Sequence, residues 1–244
     1  GVLFNVWAPK ALSVSVVGEF NKYDGRVHLM ERIEDTGVFE LFIPGLAAGC
    51  GYMYEIKRQG KGTTRKLDPV SRQISSVPIT ASVVSDENMP DSYAWNDGLW
   101  MIKRKKEAGK KKPVTVYEVS LTDWLKEKSA DELVDFVKQE GYTHVCFLPV
   151  AEYLNEEMNG YSTLGYFAVT HRTGGSDAFK KLVDDCHNAG IGVIIDWNGA
   201  YFGTEVKGLY DFDGADAYGY LKPSLEKHPE WDVVTFDYKK GAVR

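Results

Sequence analysis

Short segments in which apolar and polar residues alternate fill the first part of the chain. Gly, Pro, Asn or Asp separates these segments at close spacing, which is typical of an all-β sandwich. The alternating segments are LFNVWAP, SVSVVGEF, GVFELFIPG and GYMYEIKR. We therefore predict an N-terminal, immunoglobulin-like all-β sandwich over residues 1–68.

The pattern changes after residue 112, where apolar runs alternate with segments of helical periodicity. The predicted strands are VTVYEVS, THVCFLPV and GVIIDWN, and the predicted helices are DELVDFVKQEG and SDAFKKLVDDCHNAG. This order predicts βαβ units with a parallel sheet in residues 113–244, and THVCFLPV should be buried on both faces. We expect Ser176 or Asp177 to cap the second helix.

Residues 69–112 lack a clear period and are predicted to be a linker. Their one unusual feature is the basic cluster KRKKEAGKKK, Lys103–Lys112. A run of like charges is usually a solvated segment. A contact with an anion or a polymer is the alternative.

Composition excludes several classes of function. The formal net charge of -6 argues against nucleic acid as the main partner, because phosphate binding needs clustered Lys and Arg. The three cysteines match no metal-binding spacing, so no metal site is expected. An odd cysteine count suits a reduced, cytoplasmic protein. No signal peptide or apolar run of membrane-spanning length is visible, so no membrane partner is expected.

Aromatic residues lie beside Asp, Glu and Asn in the segments between the predicted strands. A pyranose ring stacks on an aromatic face while carboxylates and amides bind its hydroxyls, so these segments are candidates for a sugar site. The alternative is that the aromatics only pack long loops onto the sheet. Asp196 ends an apolar strand, and sites form at the C-terminal ends of parallel strands.

Several longer motifs are distinctive. The N-terminal part contains FNVWAPKALSVSVVGEFNKYDG, and the later part contains TVYEVSLTDW, GYTHVCFLPVAEY, NGYSTLGYFAVTHRTGGSDAFKKLVDDCHNAGIGVIIDW and HPEWDVVTFDYKKGAVR. The first motif resembles the N-terminal sandwich, and the others resemble the start of the catalytic barrel, of the 1,4-alpha-glucan (glycogen) branching enzyme family of the alpha-amylase superfamily. The resemblance implies a carbohydrate-binding sandwich followed by the first three βα units of a (β/α)8 TIM barrel.

The resemblance also implies an activity. The family is a glycosyltransferase of glycogen biosynthesis that cuts an alpha-1,4 linkage and transfers the released segment to a 6-hydroxyl by a retaining mechanism. The expected partner is an alpha-glucan, namely glycogen, starch or a maltooligosaccharide. No cofactor is expected.

Three residues match substrate-binding positions of the family, namely Tyr161, Asp196 and Tyr201. Tyr201 stands where the family has a histidine that donates a hydrogen bond to the sugar. A phenol donates too, but it reaches further and carries no positive charge near neutral pH. Asn159 replaces the tryptophan before Tyr161, and Tyr23 replaces a tryptophan of the sandwich.

The nucleophile, the general acid and the third acid of the family lie on barrel strands four, five and seven, and we find three strands here. No catalytic residue is therefore expected in this chain. The outer strands TVYEV and VIIDW should present apolar edges. We expect the chain to be part of a longer protein or to pair with a second chain that supplies the rest of the barrel.

Three hypotheses stay open at this stage. The chain is the N-terminal portion of a branching enzyme, or a related protein that binds alpha-glucan without cutting it. The third hypothesis is another member of the superfamily with the same front module, such as a debranching or trehalose-forming enzyme. The motif HPEWDVVTFDY resembles branching enzymes more closely than the members named last.

Overall fold

The structure is a computed structural model that describes residues 1–76, 79–85, 93–158, 160–220 and 233–244. The predictions made for Asn159 and for the first five residues of the motif HPEWDVVTFDY lie outside the described residues. The chain forms two compact units. The first contains residues 1–86, 151–168 and 198–244, and the second contains residues 87–150 and 169–197.

The first unit contains two antiparallel sheets made by residues 1–86. The strands are β1 (Val2–Trp7), β2 (Ser13–Gly18), β3 (Glu31–Arg32), β4 (Val38–Ile43), β5 (Gly51–Arg58), β6 (Gly62–Lys66), β7 (Ile74–Ser75) and β8 (Ala81–Val83). One sheet has the order β1-β4-β3, and the other has the order β2-β5-β8-β7 with β6 also paired to β5. The four strands predicted from the alternating segments are confirmed as β1, β2, β4 and β5.

Apolar side chains of both sheets fill one core, which makes this part a β-sandwich. Phe4 and Phe39 come from the first sheet, and Val14, Val16 and Ile56 come from the second. Each of these side chains is at most 4% exposed. The alternation of the sequence therefore corresponds to an inward and an outward face, as strand geometry requires.

Strands β7 and β8 extend the second sheet beyond the predicted end of the sandwich at residue 68. Both strands are short, so residues 67–85 have no long alternating run from which to predict them. The predicted domain boundaries at residues 68 and 112 divide the chain by its sequence patterns, and they stay predictions.

Two later segments of the chain also belong to the first unit. They contain β11 (Ala151–Tyr153), most of β12 (Thr163–Val169), β14 (Tyr201–Gly203) and β15 (Val233–Thr235), and β14 pairs with β15 antiparallel. The second sandwich sheet is covered on its outer face by Leu164 and Ala168 of β12, which pack against Val17 and Met53. This sheet is therefore buried on both faces.

Buried Lys66 holds the segment after β14 against the sandwich. Its side chain is 1% exposed, and its Nζ donates to the carbonyl of Val206 at 2.6 Å and to that of Tyr210. Desolvation lowers the pKa of the Lys66 ammonium to about 8. Nearby, Asp211 accepts from Arg58 at 2.7 Å and from Lys61 at 2.8 Å.

The second unit contains a three-stranded parallel sheet of order β13-β10-β9. Its strands are β9 (Val116–Val119), β10 (His144–Phe147) and β13 (Gly192–Ile195), and its helices are α1 (Gly98–Glu107), α2 (Leu121–Trp124), α3 (Ala130–Gln139) and α4 (Gly175–Asn188). The predicted strands and both predicted long helices are confirmed. β9 and β13 are the outer strands among the described residues, as predicted.

Helices α3 and α4 bury their predicted apolar faces against one side of this sheet. Leu133, Val137, Leu182 and Cys186 share a core with Phe147, and each is at most 3% exposed. Ser129 caps α3 because its hydroxyl accepts from the Glu132 amide at 3.2 Å while the Glu132 carboxylate accepts from the Ser129 amide at 2.7 Å.

Two expectations for the second unit are wrong in detail. Helix α4 begins at Gly175 with Gly174 as its N-cap, so Ser176 and Asp177 lie inside the helix. β10 is not buried on both faces, because Cys146 is only partly buried in the described structure. The predicted linker contains the helix α1, which has no buried residue.

Helix α1 was missed because its apolar residues lie in the first half and its charges in the second. Its stabilising contacts come from α4, which is distant in sequence. The Trp100 ring stacks on the His187 ring at 3.6 Å between centroids, and Asp97 Oδ2 lies 2.7 Å from His187 Nδ1. His187 is thus a histidine held by structural contacts.

Among the described residues, no helix is long and apolar enough to cross a membrane.

Candidate functional site

Tyr161 lies in the short segment that precedes β12. Its amide donates to the carbonyl of Met158 at 2.8 Å, which closes a turn just before the strand. The phenol ring is half-buried. A half-buried ring on a fixed turn is suited to stacking, because it loses little conformational freedom when it binds a sugar.

Tyr201 is the first residue of β14 and is also half-buried. Its carbonyl accepts a hydrogen bond from the Tyr166 hydroxyl at 2.7 Å. Burial raises the pKa of the Tyr166 phenol well above its usual value, so this hydroxyl remains a donor at any ordinary pH. The Tyr166 hydroxyl therefore fixes the backbone of Tyr201 with a hydrogen bond that persists at any ordinary pH.

Asn198 connects the turn of Tyr161 with the turn of Tyr201. Its side chain is 9% exposed. Its Nδ2 donates to the Tyr161 carbonyl at 2.9 Å and to the Tyr201 carbonyl at 3.2 Å. Its Oδ1 accepts from the Ala200 amide at 3.1 Å. One buried amide thus satisfies three backbone groups and joins both tyrosines in one cluster of the first unit.

Asn198 was not among the residues predicted to bind substrate. The available signal was the nearby Tyr201, which stands where the family has a histidine. The significance of the amide depended on its partners, and the Tyr161 carbonyl is 37 positions away in sequence.

Asp196 lies in the second unit, directly after β13. Its amide donates to the Phe147 carbonyl at 2.9 Å and extends the ladder with β10 by one bond. The pKa of the Cys146 thiol is raised by burial first and then by the carboxylates of Glu118 and Asp196. Asp196 and Glu118 therefore lie near Cys146 on one face at the C-terminal end of the sheet.

The structure thus brings Tyr161 and Tyr201 together, whereas Asp196 belongs to the other unit. The assignment of all three to one subsite stays a prediction. Among the described residues, no group of three or more His, Cys, Asp or Glu side chains could hold a metal ion. Tyr161, Asn198 and Tyr201 form what we call the tyrosine cluster. Its polar side-chain groups are phenols and an amide, which are suited to neutral hydroxyls.

Two other acids, Asp213 and Glu152, are engaged in structural contacts. Asp213 is fully buried, and it accepts from the Ala215 amide at 3.1 Å and from the Lys10 amide at 2.8 Å. The Asp213 carboxylate therefore holds a turn. Glu152 is 3% exposed and accepts from the Tyr153 amide at 3.0 Å.

The loop aromatics divide into packing residues and exposed ones. Tyr153 is 5% exposed, so the packing interpretation holds for this ring. Trp197 is 56% exposed and lies between Asp196 and Asn198 in sequence. In the sandwich, Tyr23 has a positive φ of 57°, and the Arg65 guanidinium lies 5.6 Å from its ring centroid.

The fold is similar to solved structures of alpha-amylase-like proteins. One is a Salmonella typhimurium protein assigned as an alpha amylase, with a TM-score of 0.73, 24% identity, and coverage of 99% of this chain and 38% of that chain. Another is the catalytic module of the glycogen-degrading pneumococcal virulence factor SpuA, with a TM-score of 0.67, 19% identity, and coverage of 99% and 41%. These similarities define the fold class.

Sequence comparisons identify similar proteins within that class. Residues 1–71 match the model of carbohydrate-binding module 48, the isoamylase N-terminal domain. The whole chain is 41% identical to the 1,4-alpha-glucan branching enzymes GlgB of Nitrosococcus oceani and of Methylococcus capsulatus. It spans 34% of the length of each. The resemblance to the branching enzyme family is therefore confirmed for the part of such proteins that this chain spans.

Proposed function

We propose that this chain contributes the glucan-binding front of a 1,4-alpha-glucan branching enzyme. The observation that carries the proposal is the tyrosine cluster, because Asn198 fixes both candidate sugar-binding rings from their backbones. The similarity to branching enzymes over the whole chain supports the same assignment. In this proposal, Tyr161 stacks on a glucose ring of the donor strand and the Tyr201 hydroxyl donates to a sugar hydroxyl.

The second unit would then be the first part of the (β/α)8 barrel, with three βα units. Asp196 would bind sugar hydroxyls from the C-terminal end of β13, where barrel enzymes build their sites. Retaining transfer needs a nucleophile and a general acid on opposite sides of the scissile bond. We assign neither role to a residue of this chain, and we propose that a further part of the barrel or a second chain supplies both.

Calorimetric titration with maltoheptaose tests the binding role. We expect the chain to bind maltoheptaose and Tyr161→Ala to weaken binding about five- to thirtyfold, since one stacked ring contributes on the order of 1–2 kcal/mol. Phe42→Ala is the matched control because Phe42 is a 58% exposed aromatic residue of the same unit. Equal losses in both variants, or unchanged binding in Tyr161→Ala, would contradict the proposed site.

Tyr23→Ala locates the glucan if the barrel loops do not bind it. Loss of binding in this variant alone would place the glucan on the sandwich. Asp196→Asn tests the third predicted residue with little change in size. A weaker affinity in Asp196→Asn would support a role of Asp196 in glucan binding, and an unchanged affinity would contradict that role.

A related protein that binds glucan without branching it is the second candidate. The departure of residues 198–201 from the family motif favours it, because Tyr201 replaces a histidine of the sugar site. A chimaera in which this chain replaces the matching third of the Nitrosococcus oceani enzyme separates the two candidates. Loss of iodine staining of amylose would support branching, and activity that requires Tyr201→His would support the binding protein.

A further inference from the structure

The basic cluster of residues 103–112 has no role in the proposed glucan site. It contains seven Lys or Arg residues and one acid, Glu107, in a chain of net charge -6. All seven cationic residues are exposed. Positive charge is therefore concentrated on one short segment of a protein that is otherwise acidic.

The end of helix α1 explains only part of this concentration. Arg104, Lys105 and Lys106 lie in the last turn, where the helix dipole favours cations. The chain then turns at Gly109, with φ of 83°, and the Lys110 amide donates to the Glu107 carbonyl at 3.1 Å. This turn brings the second group of lysines back towards the helix end.

Lysines of both groups lie near one carboxylate, that of Glu107. The pKa of Glu107 is lowered first by a hydrogen bond from Lys112, and then by the charges of Lys112, Lys103 and Lys110. The Lys112 Nζ lies 2.7 Å from Glu107 Oε1. In the described part of the chain, Lys103 and Lys110 have no ion pair of their own. The single carboxylate of Glu107 thus balances only part of the positive charge of the lysines around it.

The same side chains line a concave surface within the second unit. Its volume is about 880 Å³, and its charged lining comprises Lys103, Arg104, Lys105, Glu107, Lys110 and Lys112. This volume lies in the ordinary range for sites that bind small molecules. Five cationic side chains against one carboxylate leave an excess of positive charge, which raises the local concentration of anions.

We propose that this concave surface binds a small anion that carries two or more phosphoryl groups. Lysine ammonium groups are common point-charge ligands of phosphate. Several separate lysines match several phosphoryl groups better than a single one. A nucleic acid is disfavoured, because the rest of the chain is acidic and the segment has no run of aromatic residues on which bases could stack.

Calorimetric titration of the full chain with inorganic tripolyphosphate tests the proposal. We expect saturable binding of one ion per chain, and at least tenfold weaker binding of inorganic phosphate. The double variant Lys103→Ser/Lys110→Ser should bind tripolyphosphate at least tenfold more weakly. Lys57→Ser/Lys138→Ser removes the same charge from two other exposed lysines and should bind as the unchanged chain does.

Three results would overturn the proposal. The first is the absence of saturable binding, and the second is an equal loss of affinity in both double variants. The third is binding of a single-stranded oligonucleotide or of anionic phosphatidylserine vesicles that is tighter than that of tripolyphosphate and is lost in Lys103→Ser/Lys110→Ser. Circular dichroism melting curves of both double variants show whether each is folded. The glucan titrations do not depend on this outcome.

Discussion

The two principal sheets of the molecule differ in how many of their faces are covered. In the second sandwich sheet, Val14, Val16 and Ile56 face one core and Val17 and Met53 face another. In the parallel sheet, α3 and α4 cover one face. The described part of the chain leaves Ile194 41% exposed on β13.

The difference shows how each part of the chain obtains its apolar cover. The sandwich receives its inner cover from its own second sheet and its outer cover from β12, which is contributed by a distant segment. Within the described ranges, the parallel sheet receives cover on one face from the helices that connect its strands. Burial of apolar area is the main stabilising term, so side chains on the two sheets should contribute unequally to stability.

The largest expected effect compares one isoleucine from each sheet. Ile56→Ala should lower the free energy of unfolding by about 3–4 kcal/mol, because it leaves a cavity in a closed core. Ile194→Ala should lower it by less than about 1 kcal/mol, because its side chain is already 41% exposed. Urea titration followed by circular dichroism measures both, and equal losses would contradict the comparison.

The next effect concerns Lys66, a charge buried in the covered sandwich. Its pKa is lowered to about 8 in the folded chain from an unfolded value of about 10.4. Between these values the unfolded chain binds the proton and the folded chain does not, so this group makes stability rise with pH. This contribution to the free energy of unfolding should approach about 3 kcal/mol once the pH exceeds the unfolded pKa.

The measurement for Lys66 is the difference in free energy of unfolding between the unchanged chain and Lys66→Met from pH 7 to pH 10.5. Taking this difference removes the contribution of the tyrosines and cysteines, because both chains contain them. These residues titrate in the same pH range and have the opposite effect on stability. It should grow in favour of the unchanged chain as pH rises above about 8. A difference that is constant with pH would show that Lys66 has an ordinary pKa.

A smaller effect is expected for Asn198, whose amide joins the two tyrosine turns. Asn198→Ala leaves three backbone groups without their side-chain partner and should cost about 1–3 kcal/mol of stability. Maltoheptaose affinity should fall by a larger factor than in Asn188→Ala, which removes a surface-facing amide of α4 in the other unit. If Asn198→Ala kept its full affinity for maltoheptaose, the tyrosine cluster would not be the glucan-binding site.

The smallest effect lies in the second unit, at the start of α3. Ser129→Ala removes the capping hydroxyl and should lower the free energy of unfolding by about 1 kcal/mol. Ser120→Ala is the matched control, since its hydroxyl caps only the four residues of α2 at 3.3 Å. Chemical denaturation followed by tryptophan fluorescence measures both, and a larger loss at Ser120 would contradict this ranking.

Local patterns in the sequence were sufficient to predict the strands of the sandwich, the parallel sheet and the helices α3 and α4. The reason is that residues two apart in a strand, or three and four apart in a helix, share a face whatever the rest of the chain does. Tyr161 and Tyr201 were named from the resemblance to the family and not from local periodicity. The motif resemblance, confirmed by the comparisons, then indicated the family.

Contacts between distant residues decided the remaining features. Helix α1 depends on the stacking of Trp100 on His187, and the partners of Lys66 lie 140 or more residues away. Asn198 acquires its role only when the turn of Tyr161 is brought beside it. A sequence contains the residue types that such contacts need, but the pairing of a buried polar group follows from the packed chain, because an unpaired group would be too costly to bury.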